Sequence, residues 1–216
     1  MEQQKIPLVL FGNGAWAEFI AYILDHDSSF EVVAFTVDAD YLTTDTFSGR
    51  PVVPFETVER AFSPSDYMMM NCAGFVAGNR LRARRYADGK DKGYRFGSYV
   101  SSKASVWPDL QLGENSFVHE HAVVQPFARI GENTQVLSQA IISHHTVVGD
   151  HGFVASSAVV GGRCTVKDYC FLGMNSTVKH ELTIADHVTL GAGATLVADA
   201  KKAGVYVGTP AKWLKG

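Results

Sequence analysis

Seventeen residues between Val100 and Leu196 fall six apart without a slip, and every one is Val, Ile or Leu. They run Val100, Val106, Leu112, Val118, Val124, Ile130 and so on through Val178, Ile184, Leu190 and Leu196, and Lys202 ends the series. Four residues after most of them comes a small one, among them Ala104, Ser116, Ala122, Thr134, Ala140, Thr146, Ala158, Cys164, Cys170, Ser176 and Ala194. Leu110, Leu182 and Val188 are larger exceptions. A period of six fits neither an α-helix nor an alternating strand. It fits two-residue strands joined by tight corners, three to a coil, stacked as a parallel β-helix of hexapeptide repeats. The large and small residues then point inward, and residue n lies beside residue n+18 at the strand spacing of roughly 4.8 Å. Gly113, Gly131 and Gly149 repeat at that interval. A β-sandwich with accidental spacing would be expected to slip register somewhere, and this pattern does not.

Composition adds bounds. The chain has 216 residues, 46% hydrophobic and 19% charged, which suits a soluble globular protein. A net charge of −3 favours neither nucleic acid nor a membrane surface. No apolar run approaches the ~18 residues needed to span a bilayer. Met1–Pro7 lacks the apolar core of a signal peptide, so a cytoplasmic location is the expectation. Cys72, Cys164 and Cys170 show no metal spacing, and the last two fall on inward hexad positions, where reduced core thiols are expected.

The first hundred residues follow another pattern. Ile6–Phe11 reads as a strand, Gly12-Asn13-Gly14 as a turn, Glu18–Leu24 as helical, and Phe30–Val37 as a second strand ending at Asp38. This is a βαβ unit whose glycine turn lets a phosphate or ribose approach the backbone, with Asp38 where a ribose hydroxyl or base edge is read. A tight connection with no ligand is the alternative. Tyr41–Arg50 reads as a loop, Pro54–Phe62 as a short helix, and Tyr67–Cys72 as a third strand followed by Gly74. Asn79–Tyr86 reads as a helix whose Arg80, Arg82, Arg84 and Arg85 form a solvated face or, alternatively, touch a diphosphate. The expected organisation is an α/β half-Rossmann, nucleotide-sugar-binding domain over residues 1–98. A parallel β-helix with a C-terminal tail follows over 99–216. The front part has too little sheet for a full dinucleotide domain, which argues against a nicotinamide oxidoreductase.

Seven of eight histidines lie in the hexad region: His119, His121, His144, His145, His151, His180 and His187. Taken singly, all but His144 and His145 read as surface or turn residues. His119 and His121 could chelate in principle, but no cysteine or carboxylate completes a metal set, so none is expected. His144, two places past Ile142, faces outward, between Pro126 one coil before and Gly162 one coil after. Gly162 has no side chain, so a cleft is expected beside His144 in which a base and a backbone donor meet, the minimum for acyl transfer.

These features together resemble the bacterial sugar acetyltransferases of the sialic acid O-acetyltransferase type. Within that group the chain is most similar to the N-acetyltransferases acting on nucleotide-linked 4-amino-6-deoxy sugars. The resemblance rests on Phe11–Ala17, the hexads, Ile142-Ser143-His144, Phe171–Ser176, Gly193–Val197 and the tail Gly204–Lys212. It implies a left-handed β-helix, a homotrimer with sites between adjacent subunits, acetyl-CoA as donor, and a role in surface glycan synthesis. It implies that His144 is the general base, with His145 beside it as the second catalytic candidate, that Gly12, Asn13, Gly14, Asp38 and Gly74 hold the nucleotide, and that Phe153, Gly162, Gly173 and Ala192 lie along the acetyl-CoA. Two departures stand out. His145 occupies a position where the family often has a glutamate beside the base, and Phe153 one where relatives can have a histidine. A sugar O-acetyltransferase and a non-catalytic β-helix that senses a nucleotide are the rival functions.

Overall fold

The computed structural model describes residues 5–75 and 78–216, so the expectation for Met1–Pro7 falls mostly on residues outside it. The chain divides into two compact units. One takes in the chain up to residue 75 with Leu81–Gly97, the other residues 78–80 with Ser98–Gly216.

In the first unit, β1 (Ile6–Phe11), α1 (Ala15–Asp27) and β2 (Phe30–Val37) form the expected βαβ. Ala17, Ile20, Ala21 and Leu24 recur at helical spacing and bury one face of α1. The sheet is larger than the sequence suggests. A short β3 (Thr46–Phe47) turns into β4 (Arg50–Pro54), which lies parallel to β2. With β5 (Met68–Asn71) the order is β3-β4-β2-β1-β5. The expected loop at Tyr41–Arg50 thus ends in a strand. Its Arg-Pro-Val-Val-Pro sequence hides it, because proline cannot donate to a ladder and suits only strand ends. After α2 (Val58–Ala61) and β5 comes α3 (Arg80–Asp91), longer than the expected Asn79–Tyr86. Gly89 extends it in spite of its low helix propensity, because a Cβ there would sit 2.6 Å from the buried Phe96 ring.

The second unit is built mostly of two-residue strands that end on a hexad aliphatic residue. Each pairs in parallel with the strand eighteen on, as Ile141↔Val159, Val159↔Thr177 and Thr177↔Thr195. Three such sheets enclose the core. The aliphatic residues from Val118 to Leu196 are all buried, each contributing roughly 1.5–3 kcal/mol before entropy is charged. The small inward residues have a polar task as well. Ser116, Thr134 and Thr146 hydroxyls donate to carbonyls of the next coil at 2.7, 2.8 and 2.7 Å. Cys164 and Cys170 thiols do the same at 3.2 and 3.1 Å, and burial pushes both thiols up, Cys170 to about 12. Both are free, as is the buried Cys72.

The corners obey a rule that hydropathy does not reveal. The third residue after each aliphatic, from Asn115 to His187, has a left-handed backbone, with φ between 53 and 65°. Such a conformation costs a non-glycine residue on the order of 1–2 kcal/mol. The corners accept it because it turns the chain by the angle a three-sided coil needs. Side chains on one corner form a column: Asn115 donates to Asn133 at 2.7 Å, and Asn133 meets His151 at 2.8 Å. The rings of His151, Tyr169 and His187 continue it at 4.7 Å steps. At the C-terminal end Gly204–Val207 pairs with Val188–Leu190, and Lys212–Lys215 pairs with it in turn, covering that strand edge. No described helix is long and apolar enough to cross a membrane.

Candidate active site

Two places concentrate chemistry, one in each unit. In the α/β unit β1 lies between β2 and β5, so the chain leaves β1 towards one side and returns on the other. That is a topological switch point, where open parallel sheets place their ligands. The Gly12–Gly14 turn sits there. Gly12 has φ 122°, which a side chain would not tolerate, and a Cβ there would lie 3.4 Å from Ala17 Cβ. Gly14 caps α1 without a side chain and has open space where a Cβ would stand. The first turn of α1 therefore presents its N–H groups to the adjoining cavity. That cavity, about 490 Å³, is lined by Gly12, Asn13, Gly14, Trp16, Asp38, Tyr41, Gly74, Arg84 and Arg85 among others.

The arginines of α3 do not form a uniform solvated face. Arg82 is fully buried, donates to Ala73 O at 3.4 Å, and is lowered by burial to about 9. Arg85 reaches Asp38 at 2.7 Å and Asp88 at 2.6 Å, and its guanidinium lies 5.5 Å from the centre of the Phe55 ring. Burial alone would lower its pKa, but the hydrogen bonds to Asp38 and Asp88 outweigh it and raise it. Asp38 thus spends Oδ2 on Arg85, while its Oδ1 is buried without a hydrogen-bond partner. The sequence names Arg85 only as one of four arginines that form a solvated face or touch a diphosphate, and nothing in it marks the ion pair with Asp38.

In the β-helix, His144 and Gly162 share a corner on successive coils. A Cβ on Gly162 would lie 2.8 Å from both Cε1 and Nε2 of His144. The imidazole therefore occupies the space that the missing side chain leaves. The expected open cleft beside His144 is filled by the histidine itself. The His144 N–H donates to Gln125 Oε1 at 2.9 Å, and its carbonyl accepts from Arg163 N at 3.0 Å. Among the described residues no acceptor takes the Gly162 N–H, whereas Gly161 N–H is bound to Val178 O at 2.9 Å. His145 is one of the left-handed corner residues, at φ 59°. Its Nδ1 lies 3.1 Å from Nδ1 of His144, and its ring packs on Phe127 with centroids 4.7 Å apart. Gln125 and Phe127 were missed from sequence, though Phe127 is eighteen before His145 and Gln125 eighteen before Ser143.

The other expected residues lie elsewhere on the prism. Phe153 stacks on Phe171 at 5.4 Å in a different sheet. Gly173 and Ala192 follow that sheet at the preceding corner, where a Cβ on Gly173 would come within 2.6 Å of Ala192 N. Within one chain they adjoin each other and not His144. Among the remaining histidines His119 is not on the surface: it is 1% exposed, and burial lowers it to about 4, against a weaker opposing pull from Glu120. His121, His151 and His187 are left-handed corner residues. Among the described residues no group of three or more His, Cys, Asp or Glu side chains could hold a metal ion.

A family model described as the GMPPB C-terminal domain matches residues 97–195. No curated protein matches the chain. Among solved structures, the acetyltransferase domain of PglB from Neisseria gonorrhoeae FA1090, in complex with acetyl coenzyme A, superposes with a TM-score of 0.85 at 23% identity. That match covers 97% of this chain and 100% of that one. A mutant of GDP-perosamine N-acetyltransferase from Caulobacter crescentus, in complex with CoA and GDP-perosamine, gives 0.87 at 23% identity over 97% of each chain. WeeI from Acinetobacter baumannii AYE gives 0.60 at 16% identity, over 96% of this chain and 99% of that one. Across nearly its whole length, then, the chain has the fold of these solved structures: an α/β unit followed by a left-handed parallel β-helix of hexapeptide repeats.

Proposed function

We propose that the protein transfers an acetyl group from acetyl-CoA to the amino group of a nucleotide-linked amino sugar. The observation that carries this reading is the seat of His144, an outward imidazole lying over the bare backbone of Gly162. Similarity in fold to enzymes crystallised with acetyl coenzyme A, or with CoA and GDP-perosamine, supports the same reading. In it, the amine adds to the thioester carbonyl and a C–N bond forms. His144 takes the amine proton at Nε2, the C–S bond breaks, and the thiolate leaves with that proton as CoA thiol. The Gly162 N–H is the donor for the carbonyl oxygen as charge develops on it. Gly12, Asn13, Gly14, Asp38 and Gly74 line the cavity that takes the nucleotide. Phe153, Gly173 and Ala192 lie along the pantetheine arm. Three chains assemble as a homotrimer, and residues from neighbouring subunits complete the donor site.

The test is release of free CoA thiol with a panel of nucleotide-linked sugars bearing an amine or only hydroxyls. Turnover is expected with an amine-bearing acceptor, and His144→Ala should lower it about a hundredfold or more, the share of a positioned base. A loss below about threefold would remove His144 from that role. Turnover with hydroxyl sugars alone would make the enzyme an O-acetyltransferase, and none with any acceptor would end the enzymatic reading.

A further inference from the structure

The acetyl-transfer reading leaves open what the second histidine does. His144 and His145 meet through the same atom of each ring, Nδ1 to Nδ1 at 3.1 Å, with the rings 87° apart. Two neutral imidazoles in this arrangement hold one hydrogen between them, so one Nδ1 donates and the other accepts. If His144 donates, its Nε2 is bare. If His145 donates, His144 carries its hydrogen on Nε2 and cannot take a proton there. We infer that His145 is the positioning residue of this site: its Nδ1 accepts the His144 Nδ1–H and thereby keeps His144 Nε2 free to act as the base.

Both rings are fixed independently of any ligand. His145 is set by its left-handed corner, by its N–H to Pro126 O at 3.3 Å and by Phe127. His144 is set by Gln125 and by its seat on Gly162. Arg163, eighteen residues beyond His145, is turned to Glu181 at 2.8 Å. When the substrate amine gives its proton to Nε2, His144 becomes an imidazolium. Its Nδ1–H bond to neutral His145 then becomes charge-assisted, and so strengthens as the reaction proceeds. A neutral imidazole thus does here, as an acceptor, what a carboxylate would do as an acceptor and a charge.

This inference rests on the acetyl-transfer reading, and two experiments separate their fates. Three substitutions at one position share the same backbone demand: His145→Ala, His145→Arg and His145→Glu. Alanine offers no acceptor, arginine only donors and glutamate only acceptors. Kcat for CoA release is expected to fall about tenfold or more in the alanine and arginine variants, with the acceptor KM little changed, and to recover most of the loss in the glutamate variant. A role confined to shaping the corner would not distinguish arginine from glutamate. Equal activity of those two, or wild-type activity in all three, would overturn the inference while leaving acetyl transfer standing. The second experiment needs no turnover. In ¹⁵N-histidine spectra near neutral pH, with resonances assigned through the His144→Ala and His145→Ala variants, His144 should be the Nδ1–H tautomer. An Nε2–H tautomer at His144 would overturn the inference even if no acceptor has yet been found.

Discussion

Gly162 and His144 behave as one unit split across two coils. Because Gly162 is not among the residues with positive φ, alanine fits its backbone, and the stability change should stay within about 0.5 kcal/mol. The new methyl group, however, would stand 2.8 Å from the imidazole, which is exposed and can swing aside. Gly162→Ala should therefore lower CoA release about tenfold or more without lowering the melting temperature, as expected for a base moved out of reach. Unchanged turnover would show that the seat is not needed. The pairing of residues 144 and 162 was legible because a fixed period converts sequence distance into position. The ring orientation was not. Nothing in the pattern says whether a glycine opens a cleft or is filled by the side chain beside it, and the Nδ1 contact depends on a left-handed residue that hydropathy does not mark.

The strands and helices show where pattern reading succeeds and where it stops. Every hexad strand was legible, since each carries its own inward aliphatic residue. Strand β4 was not, because prolines border its two valines. Helix α3 was cut short, since Gly89 and the charged residues around it look like a turn until Phe96 is seen against them. His119, on the segment after Phe117–Val118, reads from sequence as a surface or turn residue for want of any sign that its position is covered. Its burial has a measurable consequence. Its folded pKa, about 4, lies below the ordinary 6.5, so the unfolded chain binds the proton more readily. The stability it contributes is intact above about pH 6.5 and is lost as pH falls towards 4, by roughly 2 kcal/mol at pH 5. The urea midpoint of the wild type should thus drop between pH 7.5 and 5 by more than that of His119→Phe. Parallel drops would show that His119 does not titrate against folding.

At the scale of the molecule, the β-helix leaves large apolar side chains in water. Phe127 is 65% exposed and Met174 57%. If the chain assembles as the closed trimer proposed above, sedimentation equilibrium should return three times the chain mass of 23.5 kDa. A stable monomer at micromolar concentration would contradict the trimer and leave the chemistry of the single chain to be judged on its own. The corner rule also sets how such a chain can change length. Duplicating one whole eighteen-residue coil keeps every side chain facing as before and only lengthens the column. Deleting a single residue between Ser143 and Gly162 rotates everything downstream to another face, so the imidazole loses its perch though no atom of either residue has been altered. Tolerated insertions and deletions within the prism are therefore quantised, and a family built on it should differ in whole turns of the coil or in loops that bulge out from its corners.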